Sequence, residues 1–200
     1  MKAFKGKEEI NKGMNARKDR VTIFKPQYLF MKNALCLLFF LPLFSLAQQD
    51  TCGLKKSKDP FTNEVKLSTG FKSFGSGAVP VSISVDATPT DIDFFIWVKK
   101  EGTCFDLESE AFMVWEGERS KATFRQSGSI NCEGAFHFTF KNTPTPNSWL
   151  RKMMAKKIAT IKLTGNGGKE TLVTLTEEQK VLFQRMATCI ANEGVTLLKK

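Results

Sequence analysis

The sequence predicts a β-rich α+β domain, a small antiparallel sheet or sandwich with a short helix near residues 148–157 and a C-terminal helix near residues 177–192. Three observations lead to this prediction. Apolar and polar residues alternate in short segments within residues 79–141, as they do in strands with one buried face. Turn residues such as Gly, Pro and Asn separate these segments. Apolar residues recur at helical spacing in the last third of the chain.

The strand segments begin at residues 79–85, where Val and Ile alternate with Ser and Pro. In residues 92–98, Phe95 and Trp97 lie opposite a second apolar row, and two apolar faces indicate a central strand. Further strands are predicted at residues 112–115, 122–124 and 136–140.

The last third of the chain combines two helices with two strands. The strands are predicted at residues 158–163 and 171–175, on either side of a Gly-rich turn. Thr176 and Gln179 form a capping box before the second helix, and Gly194 is expected just beyond its end. The apolar side of the first helix consists of Trp149, Leu150, Met153 and Met154. The inward face of the second helix consists of Leu182, Met186, Cys189 and Ile190.

Residues 31–47 have the organisation of a secretory signal peptide. Lys32 provides a basic start, residues 34–47 are almost entirely apolar, and residues 45–47 (Ser-Leu-Ala) fit a small-x-small cleavage pattern. A transmembrane helix is the alternative, but an apolar run of this length spans only about 21 Å at ~1.5 Å per residue, short of the ~30 Å hydrocarbon core. We therefore expect an exported protein, periplasmic or extracellular, with no transmembrane span in its mature chain.

Residues 1–30 are mostly polar and basic, and their first part has no apolar periodicity. We expect translation to start at Met31, which makes residues 1–30 a non-native or mis-assigned extension. An unusually long n-region is the alternative. Residues 48–200 then form a single β-rich domain, long enough to bury a core.

The net charge of +10 is concentrated at the N-terminal end of the chain. Residues 1–47 contain nine Lys/Arg and three Asp/Glu, whereas residues 48–200 contain 21 and 17. The predicted mature chain therefore carries a formal charge of only +4, which disfavours nucleic acid as its partner. The specific partner is unknown, and an envelope protein or an acidic surface polymer is the expected class.

Four cysteines follow the predicted cleavage site, and an even number in an exported chain indicates two disulfides. Among the possible pairings we predict Cys52–Cys189 and Cys104–Cys132. Cys189 lies on the inward helix face, and a bond to Cys52 ties down the loose N-terminus. Cys104 and Cys132 flank a predicted hairpin, which brings its outer ends together. Four buried reduced thiols are the alternative.

The sequence contains no complete catalytic or metal-binding pattern. His137 is the single His and lies opposite the Phe face of its strand, so we interpret it as an exposed strand residue rather than a general base. Two acidic clusters, Asp86 to Asp93 and Asp106 to Glu110, lack the Gly and Glu of a calcium loop. We therefore predict no catalytic residue, no metal and no cofactor.

One concentration of positive charge, called the basic patch below, is a candidate for weak polyanion binding. A solvated helix face is the more ordinary interpretation of the same residues. The basic patch consists of Arg151, Lys152, Lys156, Lys157 and Lys162.

Four short motifs resemble those of small exported β-rich domains of Bacteroidota-type bacteria, a group of uncharacterised proteins. The resemblance implies export and a cysteine arrangement, and it implies no activity. The motifs are residues 61–64 (Phe-Thr-Asn-Glu), residues 131–134 (Asn-Cys-Glu-Gly), residues 157–162 with their Lys-Ile and Ile-Lys ends, and residues 175–179 (Leu-Thr-Glu-Glu-Gln) leading to Cys189-Ile190.

We therefore expect an exported, non-enzymatic binding or structural module of the cell envelope. A carboxylate-based hydrolase of an envelope polymer is the first alternative, and it requires Asp91 or Asp93 within ~5–10 Å of Asp106, Glu108 or Glu110. A carrier of apolar ligands is the second alternative, and it requires an internal cavity of ~300 Å³ or more.

Overall fold

The structure, a computed structural model, describes residues 52–77, 79 and 81–198. The predicted extension at residues 1–30 and the predicted signal peptide at residues 31–47 lie outside these described residues. The β-rich α+β class is confirmed, because the described chain forms two antiparallel sheets, a short helix and a C-terminal helix.

The elements of the described residues follow one another in this order: β1 (Lys55–Lys58), β2 (Val65–Ser68), β3 (Lys72–Phe74), β4 (Val81–Ala87), β5 (Asp91–Val98), β6 (Glu110–Trp115), β7 (Lys121–Arg125), β8 (Ala135–Lys141), α1 (Ser148–Ala155), β9 (Ile158–Thr164), β10 (Glu170–Thr174) and α2 (Glu177–Gly194). The larger sheet has the order β1-β2-β4-β5-β8, and β3 also pairs with β4. The smaller sheet has the order β10-β9-β6-β7. Strands β1, β2 and β3 were not predicted.

The inner face of the larger sheet is the centre of the core. Phe94 of β5 stacks on Phe138 of β8 with 4.9 Å between ring centroids. Phe138 in turn stacks on Phe124 of the smaller sheet at 4.5 Å, and Phe94 packs against Phe183 of α2 at 5.9 Å. The smaller sheet and α2 therefore cover neighbouring parts of one sheet face, and their buried side chains belong to one hydrophobic cluster.

Helix α2 begins with the predicted capping box. The Thr176 hydroxyl accepts a hydrogen bond from the Gln179 backbone N–H at 3.3 Å, and the Gln179 amide oxygen accepts one from the Thr176 N–H at 3.1 Å. The same amide oxygen accepts a hydrogen bond from the backbone N–H of Gly75 at 3.1 Å. The cap therefore also fixes the chain that follows β3.

The prediction that Gly194 lies beyond the end of α2 is wrong. Gly194 is the last residue of the helix and has right-handed backbone geometry, with φ −58°. A Cβ at this position would lie 3.2 Å from the Cβ of Ala87, and the Gly194 carbonyl accepts a hydrogen bond from the Asn142 side chain at 2.8 Å. Close packing against the sheet, rather than a left-handed turn, accounts for this glycine.

The predicted helix faces are correct in part. In α2 the buried residues include Met186, Cys189 and Ile190, whereas Leu182 is only partly buried and Phe183 lies inside. Helix α1 ends at Ala155, two residues before the predicted boundary. Its buried residues are Leu150 and Met153, while Met154 is partly buried and Trp149 is exposed.

Both predicted disulfides are present. Cys52 and Cys189 have their Cα atoms 5.6 Å apart, and those of Cys104 and Cys132 lie 3.8 Å apart. The second bond adjoins a short antiparallel bridge in which Phe105 and Asn131 exchange backbone hydrogen bonds of 2.8 and 3.0 Å. In the loop-entropy model, cross-links over 137 and 28 residues are worth roughly 5 and roughly 3.6 kcal/mol.

Gly134 allows the loop before β8 to lie against the end of β5. Its φ is +77°, and a Cβ would lie only 2.2 Å from the carbonyl oxygen of Val98. The Gly134 carbonyl accepts a hydrogen bond from the Val98 N–H at 2.8 Å. Any side chain at residue 134 must therefore displace backbone.

We expect Gly134→Ala to lower the free energy of unfolding by more than about 3 kcal/mol, because strain at positive φ is combined with a backbone clash. Gly117→Ala is the matched control, since Gly117 has φ +71° but nothing within 4 Å of its added Cβ. The control should cost only about 1 kcal/mol. Denaturant unfolding of both variants measures the difference, and equal losses would contradict the clash.

Candidate binding surface on the larger sheet

The outer face of the larger sheet carries apolar side chains that no helix or strand of the described residues covers. Phe95 and Trp97 of β5 point outward, and Trp97 is 42% exposed. The prediction that β5 is a central strand is confirmed, because it pairs with β4 on one side and β8 on the other, but its outer apolar face is only partly buried. Ser84 and Ser82 of β4 stand opposite these two aromatic residues.

An irregularity beside β4 brings a third aromatic residue to this face. Strand β2 pairs with β4 as far as Ser68, and β3 resumes the pairing at Lys72, so three residues oppose two residues of β4. Thr69 holds the irregularity, because its backbone N–H donates to the Val85 carbonyl at 3.0 Å and its hydroxyl accepts from the Val85 N–H at 2.9 Å. Gly70 follows with φ +65°.

The extra length turns Phe71 across the outer face of β4. Its ring meets Phe95 edge-on at 5.5 Å between centroids and Trp97 at 6.3 Å. Ser82 and Ser84 lie beneath this crossing, since they point outward and yet are 4% and 2% exposed. Phe71 itself is 55% exposed. Phe71, Phe95 and Trp97 form what we call the aromatic surface.

The aromatic surface is held in a fixed arrangement. The Trp97 indole N–H donates a hydrogen bond to the Glu133 carbonyl at 3.0 Å, which orients the ring. Lys99 places its Nζ 5.4 Å from the centre of the same ring, within range of a cation–π contact. The surface therefore combines exposed aromatic rings with a cation.

His137 and Asp93 form the rim of the aromatic surface. The His137 ring meets Phe95 at 4.6 Å between centroids, and its Nδ1 lies 3.3 Å from an Asp93 carboxylate oxygen. His137 points away from the Phe face of β8, as predicted, but it is half-buried rather than exposed. Contact with Phe95 and with the chain at Gly128, where an added Cβ would lie 2.7 Å from the imidazole, accounts for the lost exposure.

Most carboxylates of the two acidic clusters form ion pairs or hydrogen bonds with neighbouring residues. Asp86 pairs with Lys66 at 2.6 Å, and Asp91 pairs with Lys141 at 2.8 Å, which holds the pKa of the Asp91 carboxyl below its usual range. Asp86 and Asp91 belong to the larger sheet. In the second cluster, an Asp106 carboxylate oxygen accepts hydrogen bonds from Glu108 and Ser109, and Glu110 of the smaller sheet lies 3.4 Å from Arg125.

Five surface cavities of the described residues have volumes of 150–530 Å³, and each is lined by at least one exposed residue. None of these five is lined by a carboxylate of the two acidic clusters. The three that exceed 300 Å³ are grooves beside Cys52 or Lys56. They therefore give no support to a carboxylate-based cleft or to an internal apolar chamber.

The basic patch is largely paired with carboxylates. Lys152 and Lys156 both contact Glu118. The other lysines of the patch have their own partners, which are Glu177 for Lys157 at 3.4 Å and Glu170 for Lys162 at 2.6 Å. This pairing lowers the positive electrostatic potential that the sequence predicts for the basic patch. Polyanion binding by the patch stays a prediction.

Within residues 52–77, 79 and 81–198, no group of three or more His, Cys, Asp or Glu side chains is arranged to hold a metal ion. The same residues contain no helix with the length and apolarity needed to cross a membrane.

No protein-family model, curated protein or solved structure matches the chain. The resemblance to exported β-rich domains of Bacteroidota-type bacteria therefore stays a prediction, and the function must be argued from the geometry.

Glu118 provides a test of the paired basic patch. Hydrogen bonds from Lys152, Lys156 and Ser120 lower the pKa of its carboxyl from 4.5 to about 2. The stabilisation is therefore complete above pH 4.5 and is lost as the pH falls from there to about 2. We expect Glu118→Gln to lower the free energy of unfolding at neutral pH and to match the wild type near pH 2.

Denaturant unfolding at several pH values between 7 and 2 measures this convergence. Glu108→Gln is the control, because Glu108 is an exposed carboxylate in the turn before β6. The control should leave the free energy of unfolding unchanged. A Glu118→Gln loss that is as large near pH 2 as at neutral pH would show that the ion pairs are not its cause.

Proposed function

We propose that the chain is an exported, non-enzymatic binding module of the cell envelope, and that it holds an acidic polysaccharide on the aromatic surface. The observation that carries the proposal is the exposure of Phe71 and Trp97, 55% and 42%, on a sheet face that no element of the described chain covers. Contiguous apolar surface on a folded protein marks a site of interaction.

Stacking is the chemistry that the aromatic surface offers. Pyranose rings present C–H faces that pack on aromatic rings, and the ring hydroxyls extend sideways to polar groups. The Asp93–His137 pair beside Phe95 supplies such groups at the rim of the aromatic surface. A polymer can therefore lie along the strands and contact the rings and the rim together.

The preference for an acidic polymer follows from charge. Lys99 places its Nζ 5.4 Å from the centre of the Trp97 ring, and its flexible side chain can turn aside to meet a carboxylate of a sugar that stacks on this ring. The predicted mature chain, residues 48–200, carries a formal charge of +4, which favours an anionic partner. The aromatic surface is also fixed before binding by the indole hydrogen bond to Glu133, which lowers the ordering cost of association.

The proposal includes export of the protein to an oxidising compartment. Two disulfides join the described chain, and structural disulfides are typical of proteins in oxidising compartments. A cleavable signal peptide at residues 31–47 is the proposed route, and the intact mass of secreted material tests it. A product that retains residues 34–47 would contradict cleavage.

We expect Phe71→Ala and Trp97→Phe to weaken binding of polygalacturonate about tenfold and about threefold, because each removes stacking area without adding charge. Isothermal titration calorimetry measures both affinities. Leu172→Ala is the control, since Leu172 is 66% exposed on the smaller sheet and lies outside the aromatic surface. Its affinity should equal that of the wild type.

Two further arms separate this proposal from its alternatives. Neutral dextran should bind at least tenfold more weakly than polygalacturonate. Lys156→Glu combined with Lys157→Glu should leave most of the binding intact, because the aromatic surface rather than the basic patch is the proposed site. Loss of binding in that double variant, with Phe71→Ala unaffected, would assign the polymer to the basic patch instead.

A further inference from the structure

The turn between β1 and β2 presents one aromatic side chain to solvent. Phe61 is 92% exposed, the highest value among the large apolar side chains of the described residues that are exposed. Its ring therefore makes almost no contact within the folded chain. An aromatic residue in such a position contributes little to the core, and almost its whole apolar surface can be buried against a second surface.

The turn keeps its shape without help from the Phe61 ring. One Asp59 carboxylate oxygen accepts hydrogen bonds from the backbone N–H groups of Phe61 and Thr62, both at 2.8 Å. The backbone of Asp59 also accepts from Asn63 at 2.9 Å and donates to Glu64 at 2.8 Å. Asn63 completes the reversal with φ +59°. The ring is thus displayed on a turn that is already ordered.

Lysines surround this apolar tip. Strand β1 has the sequence Lys-Lys-Ser-Lys and is exposed along its whole length. Residues 55–66 contain four lysines against Asp59 and Glu64, a net charge of +2. Lys66 forms an ion pair with Asp86 at 2.6 Å, and the other three lysines lie on the sheet edge. At ~3.3 Å per residue, Lys58 and Lys56 lie within about 10 Å and about 17 Å of Phe61.

We propose that this hairpin tip docks onto an anionic lipid surface, with the Phe61 ring at the boundary between headgroups and acyl chains and the β1 lysines on lipid phosphates. A single protruding aromatic residue with flanking lysines matches an interface whose outer layer is anionic and whose next layer is apolar. The proposal is independent of the aromatic surface and adds a second partner to the module.

The expected binding is weak and reversible. One aromatic side chain and three lysines hold a protein on a membrane only in the millimolar range of accessible lipid. Such contact concentrates the protein at a membrane without anchoring it. Added salt should weaken the binding, because the lysine contribution is electrostatic.

The test is co-sedimentation of the protein with vesicles of equimolar phosphatidylglycerol and phosphatidylcholine. We expect Phe61→Ser to lower the partition coefficient between vesicles and water about five- to tenfold. The variant should fold normally, because the Asp59 hydrogen bonds reach backbone N–H groups that serine also has. Leu172→Ser is the matched control, equally apolar and 66% exposed on the smaller sheet.

A pair of charge variants tests the lysines. Lys56→Glu with Lys58→Glu should abolish sedimentation with anionic vesicles, whereas Lys99→Glu with Lys100→Glu should retain most of it at the same net charge. In Phe61→Trp, brominated acyl chains should quench fluorescence beyond the level seen in the wild type, which reports insertion of the tip.

The proposal is overturned if the wild type binds anionic and pure phosphatidylcholine vesicles equally or not at all, or if Phe61→Ser binds as the wild type does. Equal losses in both charge variants would also overturn it, since they would indicate attraction by net charge alone. Polygalacturonate affinity should be unchanged in Phe61→Ser. A negative result with vesicles therefore does not bear on the proposed polysaccharide binding, which calorimetry tests separately.

Discussion

The position of β5 between β4 and β8 is the constraint on which the rest of the structure depends. Because side chains alternate along a strand, this pairing sends Phe94 inward onto Phe138 and Phe183, where the smaller sheet and α2 meet. It sends Phe95 and Trp97 outward at the same time. A shift of one residue in the register would exchange the core and the aromatic surface. Core packing therefore also fixes the geometry of the candidate site.

Most of the fold could be predicted because its signals are local. The alternation in β4, β5 and β8 and the capping box before α2 depend on neighbouring residues, and the structure contains them all. The disulfide pairing followed from a hairpin and an inward helix face, both local features. Strand β1 could not be predicted, because Lys-Lys-Ser-Lys has no buried face and forms a strand only by pairing with β2. A lysine-rich edge of this kind protects a sheet from pairing with another chain.

The candidate site was harder to predict, because it is assembled across strands. Phe71 reaches Phe95 and Trp97 only because the irregularity at Thr69 and Gly70 lengthens the chain beside β4. The row of serines in β4 was the available signal, since small side chains opposite the aromatic residues leave room for a crossing ring. The effective positive charge of the basic patch was overestimated from the sequence for the same physical reason. Its lysines meet carboxylates such as Glu118 that are distant in the sequence.

The three tryptophans of the chain test the central claim directly, since they lie in three different environments. Trp97 belongs to the aromatic surface, Trp149 is exposed beside the basic patch, and Trp115 is buried and stacks on Trp149 at 5.7 Å. Each indole N–H gives its own signal in a nitrogen–proton correlation spectrum. During titration with oligogalacturonate, the account predicts that the Trp97 signal shifts progressively while the other two stay in place. A shift of the Trp149 signal with a stationary Trp97 signal would contradict it.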